Sequence, residues 1–183
     1  KVKVRRVSKT LPVKEDFAAI LVTIRSQNKR YSLEAANFVE FMALSGARHH
    51  EAKMVSWADV SADWIVIHGG ELGTKNLIER RVPIIPPMRV LLDKMRYDGA
   101  TGPLFDMGSP RYALKNACVR LGLEHMKLHE LRHLFATACV ESGVDYRTLA
   151  DWLGHKDGGT LAATTYSHLR SDHASKMAAK VTF

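Results

Sequence analysis

Two histidine- and arginine-bearing clusters, one glycine-flanked lysine and one tyrosine are the parts of this chain whose residue types could do chemistry. His129, Arg132 and His133 stand at i, i+3 and i+4, a spacing that puts all three on one face near the start of a helix. Arg48 and Glu51 lie far upstream in Ser45-Gly46-Ala47-Arg48-His49-His50-Glu51, His155 closes Leu153-Gly154-His155, and Tyr166 closes Thr164-Thr165-Tyr166. Lys75 follows Gly73-Thr74 and precedes Arg80-Arg81. Arginine keeps its charge at every working pH and presents a planar fork of donors that fits phosphate oxygens. Histidine moves protons near neutrality, and a tyrosine hydroxyl becomes a nucleophile once its proton is taken. Together these types suit attack on a phosphodiester, whose negative charge repels nucleophiles until several fixed cationic donors surround it. Losing one such donor costs roughly a hundredfold to a thousandfold in rate, so four or five of them can replace divalent ions. The expectation is a site with no metal and no cofactor.

Two other readings compete for the same residues. His129-Glu130-Leu131-Arg132-His133 fits the HExxH zinc-protease pattern. In that reading Arg132 lies beside the metal as a like charge, and Ala136 and Cys139 stand where the longer zinc motif has its glycine and third histidine. The segment from Leu131 to His155, turning at Ser142-Gly143-Val144-Asp145, resembles a helix-turn-helix that would bind DNA without chemistry. That reading leaves Arg48, Lys75 and Tyr166 without a part.

The elements that must position these residues can be read from periodicity. Helical spacing runs over Val13–Ser26, then from Ser32 as N-cap through Phe38, Phe41, Met42 and Leu44 to a stop at Gly46. It resumes over Met88–Tyr97, Pro110–Leu121, Leu128–Glu141, Tyr146–Leu153 and Ser171–Val181. Trp64-Ile65-Val66-Ile67 and Arg81-Val82-Pro83-Ile84 are strand-like and joined through glycines, which predicts a small antiparallel sheet whose hairpin carries Lys75. Lys1–Lys9 is a basic arm or linker, giving a division into 1–12 and a main domain over 13–183. The sequence opens on Lys1 and not on methionine, as expected of a segment of a longer chain.

With 183 residues and 46% hydrophobic content the chain can build one domain with its own core. A formal charge of +8 suits a polyanionic partner. Cys118 and Cys139 form no CxxC pair and sit in apolar helical patterns, which fits a reducing cytoplasm. No apolar run nears the roughly 20 residues needed to span a bilayer, so no membrane partner is expected.

The order and types of the chemical residues resemble the catalytic domain of the tyrosine recombinases, the phage integrase family, from about Val13 onward. Ser45-Gly46-Ala47-Arg48 with Glu51 resembles that family's first arginine motif, and Gly73-Thr74-Lys75 before Arg80-Arg81-Val82-Pro83 its strand lysine. His129, Arg132 and His133 resemble its second box, Leu153-Gly154-His155 its later histidine, and Thr165-Tyr166 its nucleophile. The interval from His155 to Tyr166 is longer than the family's, with Gly158-Gly159 as the insertion. Ala52 and Lys53 replace a more aliphatic run, leaving Met54, Val55 and Trp57 to supply the buried side.

The resemblance implies a mainly α fold with a small three-stranded antiparallel β-sheet. It implies Tyr166 as the nucleophile leaving a 3′-phosphotyrosyl link, with Arg48 and Arg132 clamping the phosphate and Lys75 protonating the leaving 5′-oxygen. Arg48, Arg132 and Lys75 are thus also the DNA-binding residues. His129 takes the tyrosine proton, His155 donates to a phosphoryl oxygen, and Glu51 and His133 support the site. The implied partners are double-stranded DNA, three further copies of the chain on two duplexes, and accessory DNA-bending proteins, at the nucleoid. Ser171–Phe183 resembles the family segment that docks on a neighbouring protomer, while the family's separate N-terminal DNA-clamping domain has no counterpart in this sequence. An integrase of a temperate phage, prophage or genomic island is the expected member.

Overall fold

One helix, α2 (Ser32–Ser45), buries Ala35, Ala36, Phe38, Val39, Phe41, Met42 and Ala43. A helix apolar around most of its circumference belongs inside, with other elements laid around it. The computed structural model of the chain describes residues 11–27, 29–69, 79–155 and 157–166, apart from the side chains of Leu161 and Tyr166. In it α2 is packed by α1 (Lys14–Arg25), α3 (His49–Met54), α4 (Pro86–Met95), α5 (Arg111–Arg120) and α6 (Leu128–Glu141). Phe38 stacks on Phe105 with ring centres 4.3 Å apart, and Phe41 meets the same ring edge-on at 5.4 Å.

The end of α2 determines where the first arginine goes. Gly46 takes the left-handed conformation, φ 63°, and its N–H closes the helix on Met42 O at 3.0 Å. A Cβ on Gly46 would stand 2.5 Å from Phe135 Cδ1 of α6, so glycine alone permits both the turn and this approach. Arg48 follows two residues later at the mouth of α3.

β1 (Trp64–Ile67) and β2 (Arg80–Pro83) pair antiparallel, with Trp64 opposite Pro83 and Ile67 opposite Arg80. The expected three-stranded sheet has two strands among the described residues. The third contribution is a single bridge from Val60 to Ile65, because Val60 comes straight off a 3-10 turn (Trp57–Asp59) and is followed by the bend that begins β1. α7 (Tyr146–Leu153) starts on Asp145, whose carboxylate accepts from the N–H groups of Arg147 and Thr148, and stops at Gly154, φ 68°. α8 (Thr160–Tyr166) follows.

Several boundaries differ from the periodicity. Ser32 is the first residue of α2 and not its cap; its hydroxyl accepts from the Lys29 N–H at 3.0 Å, tightening the preceding turn. α4 begins at Pro86, since proline at a helix start lacks only an N–H that would have no intrahelical partner. α8 was not foreseen, being short and rich in threonine. Val55 and Trp57 are buried behind Arg48 together with Ala52, whereas Met54 is exposed. Cys118 and Cys139 are free thiols, and burial pushes the Cys139 thiol up to about 12, well outside reactive range. Among the described residues no helix is long and apolar enough to cross a membrane. The Lys1–Lys9 arm, Lys75 and the Ser171–Val181 helix lie outside the described residues.

Candidate active site

α6 starts where the sequence places it because Leu128, Leu131 and Phe135 need the core and Glu130 closes the first turn. The Glu130 carboxylate accepts from the Lys127 N–H at 2.6 Å. Arg132 is carried on this turn and is only 4% exposed. Its Nη1 donates to Gly46 O at 2.8 Å, its Nη2 to Leu153 O at 2.5 Å, and Nη2 lies 3.0 Å from His155 Nε2. One guanidinium therefore joins the end of α2 to the end of α7. A guanidinium only donates, so His155 Nε2 is the acceptor and the ring proton sits on Nδ1, which is buried and has no described partner. Burial, then the charge of Arg132, lower the His155 pKa, with Arg48 and Arg80 adding to the effect and Asp157 opposing it.

Arg48 is held by different means. Its backbone N–H donates to Glu51 Oε2 and its Nη1 to Glu51 Oε1, each at 2.8 Å. Arg48 is the N-cap just before α3 and Glu51 the helix's third residue, so one carboxylate caps the helix and aims the guanidinium. Glu51 is 3% exposed, and Arg80 Nη2 reaches its Oε2 at 2.6 Å. Burial raises the Glu51 carboxyl, yet the hydrogen bond and charge of Arg80, with the backbone and side-chain hydrogen bonds of Arg48, outweigh it and hold the pKa at about 2. Arg80 also donates from Nε to Trp152 O at 2.8 Å.

His129 and His133 stack edge to face, ring centres 4.9 Å apart. Burial is the largest cause lowering both pKa values. Arg132 and Arg48 lower His129 further, whereas His129 and Arg132 lower His133, and Glu130 opposes in each case. A neutral His129 can accept a proton. The glutamate of the HExxH pattern is engaged as a helix cap, and among the described residues no group of three or more His, Cys, Asp or Glu could hold a metal. The helix-turn-helix segment is present as α6, turn and α7, and its second helix delivers Leu153 and His155 to Arg132.

The structure thus brings Arg48, Glu51, His129, Arg132, His133 and His155 to one region. Lys75 falls outside the described residues, and Tyr166 is placed by its backbone at the end of α8. Before it the chain turns: Gly158 and Gly159 have φ 62° and 101°, and a Cβ on Gly159 would stand 2.9 Å from Tyr146 O. This turn lies against the start of α7, and α8 packs on the same helix. Sequence reasoning missed Arg80. The signal was its register, since strand alternation puts Arg80 on the inward side with Val82 and Arg81 outward.

The sequence model of the phage integrase family matches residues 105–173. Tyrosine recombinase XerD of Rickettsia bellii is 42% identical over 65 residues, 34% of this chain and 21% of the relative. Tyrosine recombinase XerC of Pelobacter propionicus is 27% identical over 172 residues, 86% of this chain and 55% of the relative. The chain spans about half the length of the curated relatives that it matches over most of its own. The catalytic domain of bacteriophage HP1 integrase superposes with a TM-score of 0.71 over 91% of both chains at 24% identity. XerH site-specific recombinase bound to a palindromic difH substrate superposes with a TM-score of 0.65 over 92% of this chain and 53% of that one, at 20% identity. These matches show similarity to the phage integrase family over residues 105–173 and, over nearly the whole chain, the fold of a tyrosine recombinase catalytic domain.

Proposed function

We propose that the chain breaks and rejoins DNA at specific sites by metal-free transesterification through Tyr166. The tyrosine oxygen attacks phosphorus, the bond from phosphorus to the 5′-oxygen breaks, and a 3′-phosphotyrosyl link and a free 5′-hydroxyl result. His129, neutral in the free site, takes the tyrosine proton. Lys75 supplies the proton for the departing 5′-oxygen. Arg48 and Arg132 hold the non-bridging oxygens, and His155, taking a proton from solvent that the neighbouring anion favours, turns Nε2 toward the phosphate and donates to it.

The observation that carries this reading is that two guanidiniums, anchored by different partners, both bear on the same two histidines, His129 and His155. Such an arrangement is costly to bury unless an anion is to be met there. Since bond energy is conserved in the covalent intermediate, no nucleotide hydrolysis is required. Double-stranded DNA, a tetramer on two duplexes, DNA-bending accessory proteins and a place at the nucleoid follow from the same reading.

Among recombinases, an integrase of a temperate phage, prophage or genomic island is the form we favour, supported by the fold shared with the HP1 integrase domain. The similarity to XerC supports chromosome-dimer resolution as a second form.

The test is to incubate the chain in excess EDTA with labelled, nicked trap DNA and to look for a covalent adduct on denaturing gels. An adduct that disappears in Tyr166→Phe is expected. DNA retardation without any adduct would sink the catalytic reading in favour of a binding module. Trap DNA drawn from attachment regions, compared with DNA from the replication terminus, separates the two forms.

A further inference from the structure

The steps above leave Arg80 without a part, yet its side chain is 6% exposed and its hydrogen bonds lead to the site. Nη2 binds Glu51 at 2.6 Å, Nε binds Trp152 O at 2.8 Å, and a Cβ on Gly154 would stand 3.1 Å from its Cδ. It therefore touches the group that aims Arg48 and the turn that presents His155. A carboxylate is a single negative charge, and here two guanidiniums share it. With Arg80 in place the trio of Arg48, Glu51 and Arg80 is net cationic. Without Arg80 the Glu51–Arg48 pair is neutral overall, and Arg48 offers an anion far less.

We propose that Arg80 is a positioning residue: it engages Glu51 so that Arg48 stays net cationic toward the scissile phosphate, and through Trp152 it fixes the turn that presents His155. This rests on the transesterification reading of the same site. The low pKa of Glu51 means that the charge balance holds across all working pH values. Strand β2 is thus more than the return arm of the hairpin: its inward arginine sets the electrostatics of a site built mostly by helices.

The test is single-turnover adduct formation on trap DNA at saturating protein. Arg80→Met is expected to slow the reaction by about tenfold or more. Adding Glu51→Gln to Arg80→Met removes the carboxylate that would then neutralise Arg48, and the double variant is expected to be at least about threefold faster than Arg80→Met alone. A merely structural Arg80 predicts the opposite, since a second lesion in the same buried network does not restore rate. A double variant as slow as the single one, or slower, overturns the proposal.

Should Arg80→Met lose its cooperative unfolding transition, Arg80→Lys gives the decision, because it keeps a cation beside Glu51. The readout is then the ratio of rates on a charged phosphate and on a neutral methylphosphonate linkage. Arg80→Lys is expected to keep the wild-type ratio within about threefold, and a greater fall overturns the proposal. If the wild-type chain forms no adduct, both readings fall; if wild type reacts and the variants behave otherwise than stated, only the role of Arg80 falls.

Discussion

Glu51 takes no chemical step, yet it determines what Arg48 can do. Its buried carboxylate accepts hydrogen bonds from the Arg48 backbone, the Arg48 side chain and Arg80. Holding a carboxyl at about 2 against an ordinary 4.5 makes the folded state the weaker proton binder. The stability Glu51 contributes is therefore complete above about 4.5 and is lost as pH falls toward 2. Its size is on the order of 3 kcal/mol. Denaturant unfolding followed from pH 6 down to 3 should show wild type losing stability faster than Glu51→Gln across that window. Parallel curves would mean that Arg80 and Arg48 do not hold the carboxylate as described. The histidines were readable from sequence because their spacing alone puts them on one face. Arg80 was not, because a strand arginine beside a second arginine carries no mark of which one points inward until the register is known.

At the scale of elements, most of what holds the site was legible, and the exceptions share a cause. α6 and α7 fall at the boundaries that periodicity predicts, since each has a strong apolar face and a clear start. Among the described residues the expected third strand is reduced to a bridge, and α8 was missed, because both are settled by tertiary packing: Val60 lies next to β1 for one residue only, and the Gly158–Gly159 turn lies against the start of α7, on which α8 packs. Gly46 shows the reverse case, a residue whose identity forces the geometry. Gly46→Ala would meet Phe135 Cδ1 at 2.5 Å and Leu153 Cδ2 at 2.9 Å at a left-handed φ. The expected cost is about 2–4 kcal/mol, measured by chemical denaturation. Because Gly46 O is also the acceptor for Arg132, cleavage rate should fall by more than the loss of folded protein accounts for. A rate that merely tracks the folded fraction would mean that this carbonyl does not aim the guanidinium.

The whole molecule carries a formal charge of +8, so its grip on DNA is expected to be mostly electrostatic. Each phosphate neutralised contributes about −0.9 to the slope of log affinity against log salt. Arg48→Ala is expected to reduce that slope by about one and to weaken binding alike on specific and unrelated DNA. An unchanged slope in fluorescence anisotropy titrations would place Arg48 away from the phosphate. The site is also assembled from distant stretches of chain. Arg132 reaches back 86 residues to Gly46, Arg80 forward 72 to Trp152, and Arg80 back 29 to Glu51. None of these bonds can form within a single local hairpin or helix, and loop-closure entropy delays such long-range contacts until the core is in place. A nascent or partly unravelled copy therefore carries a tyrosine and scattered cations, but no clamp. On the proposed function, the capacity to cut DNA would arrive only with complete folding, and topology alone would shield DNA from immature copies.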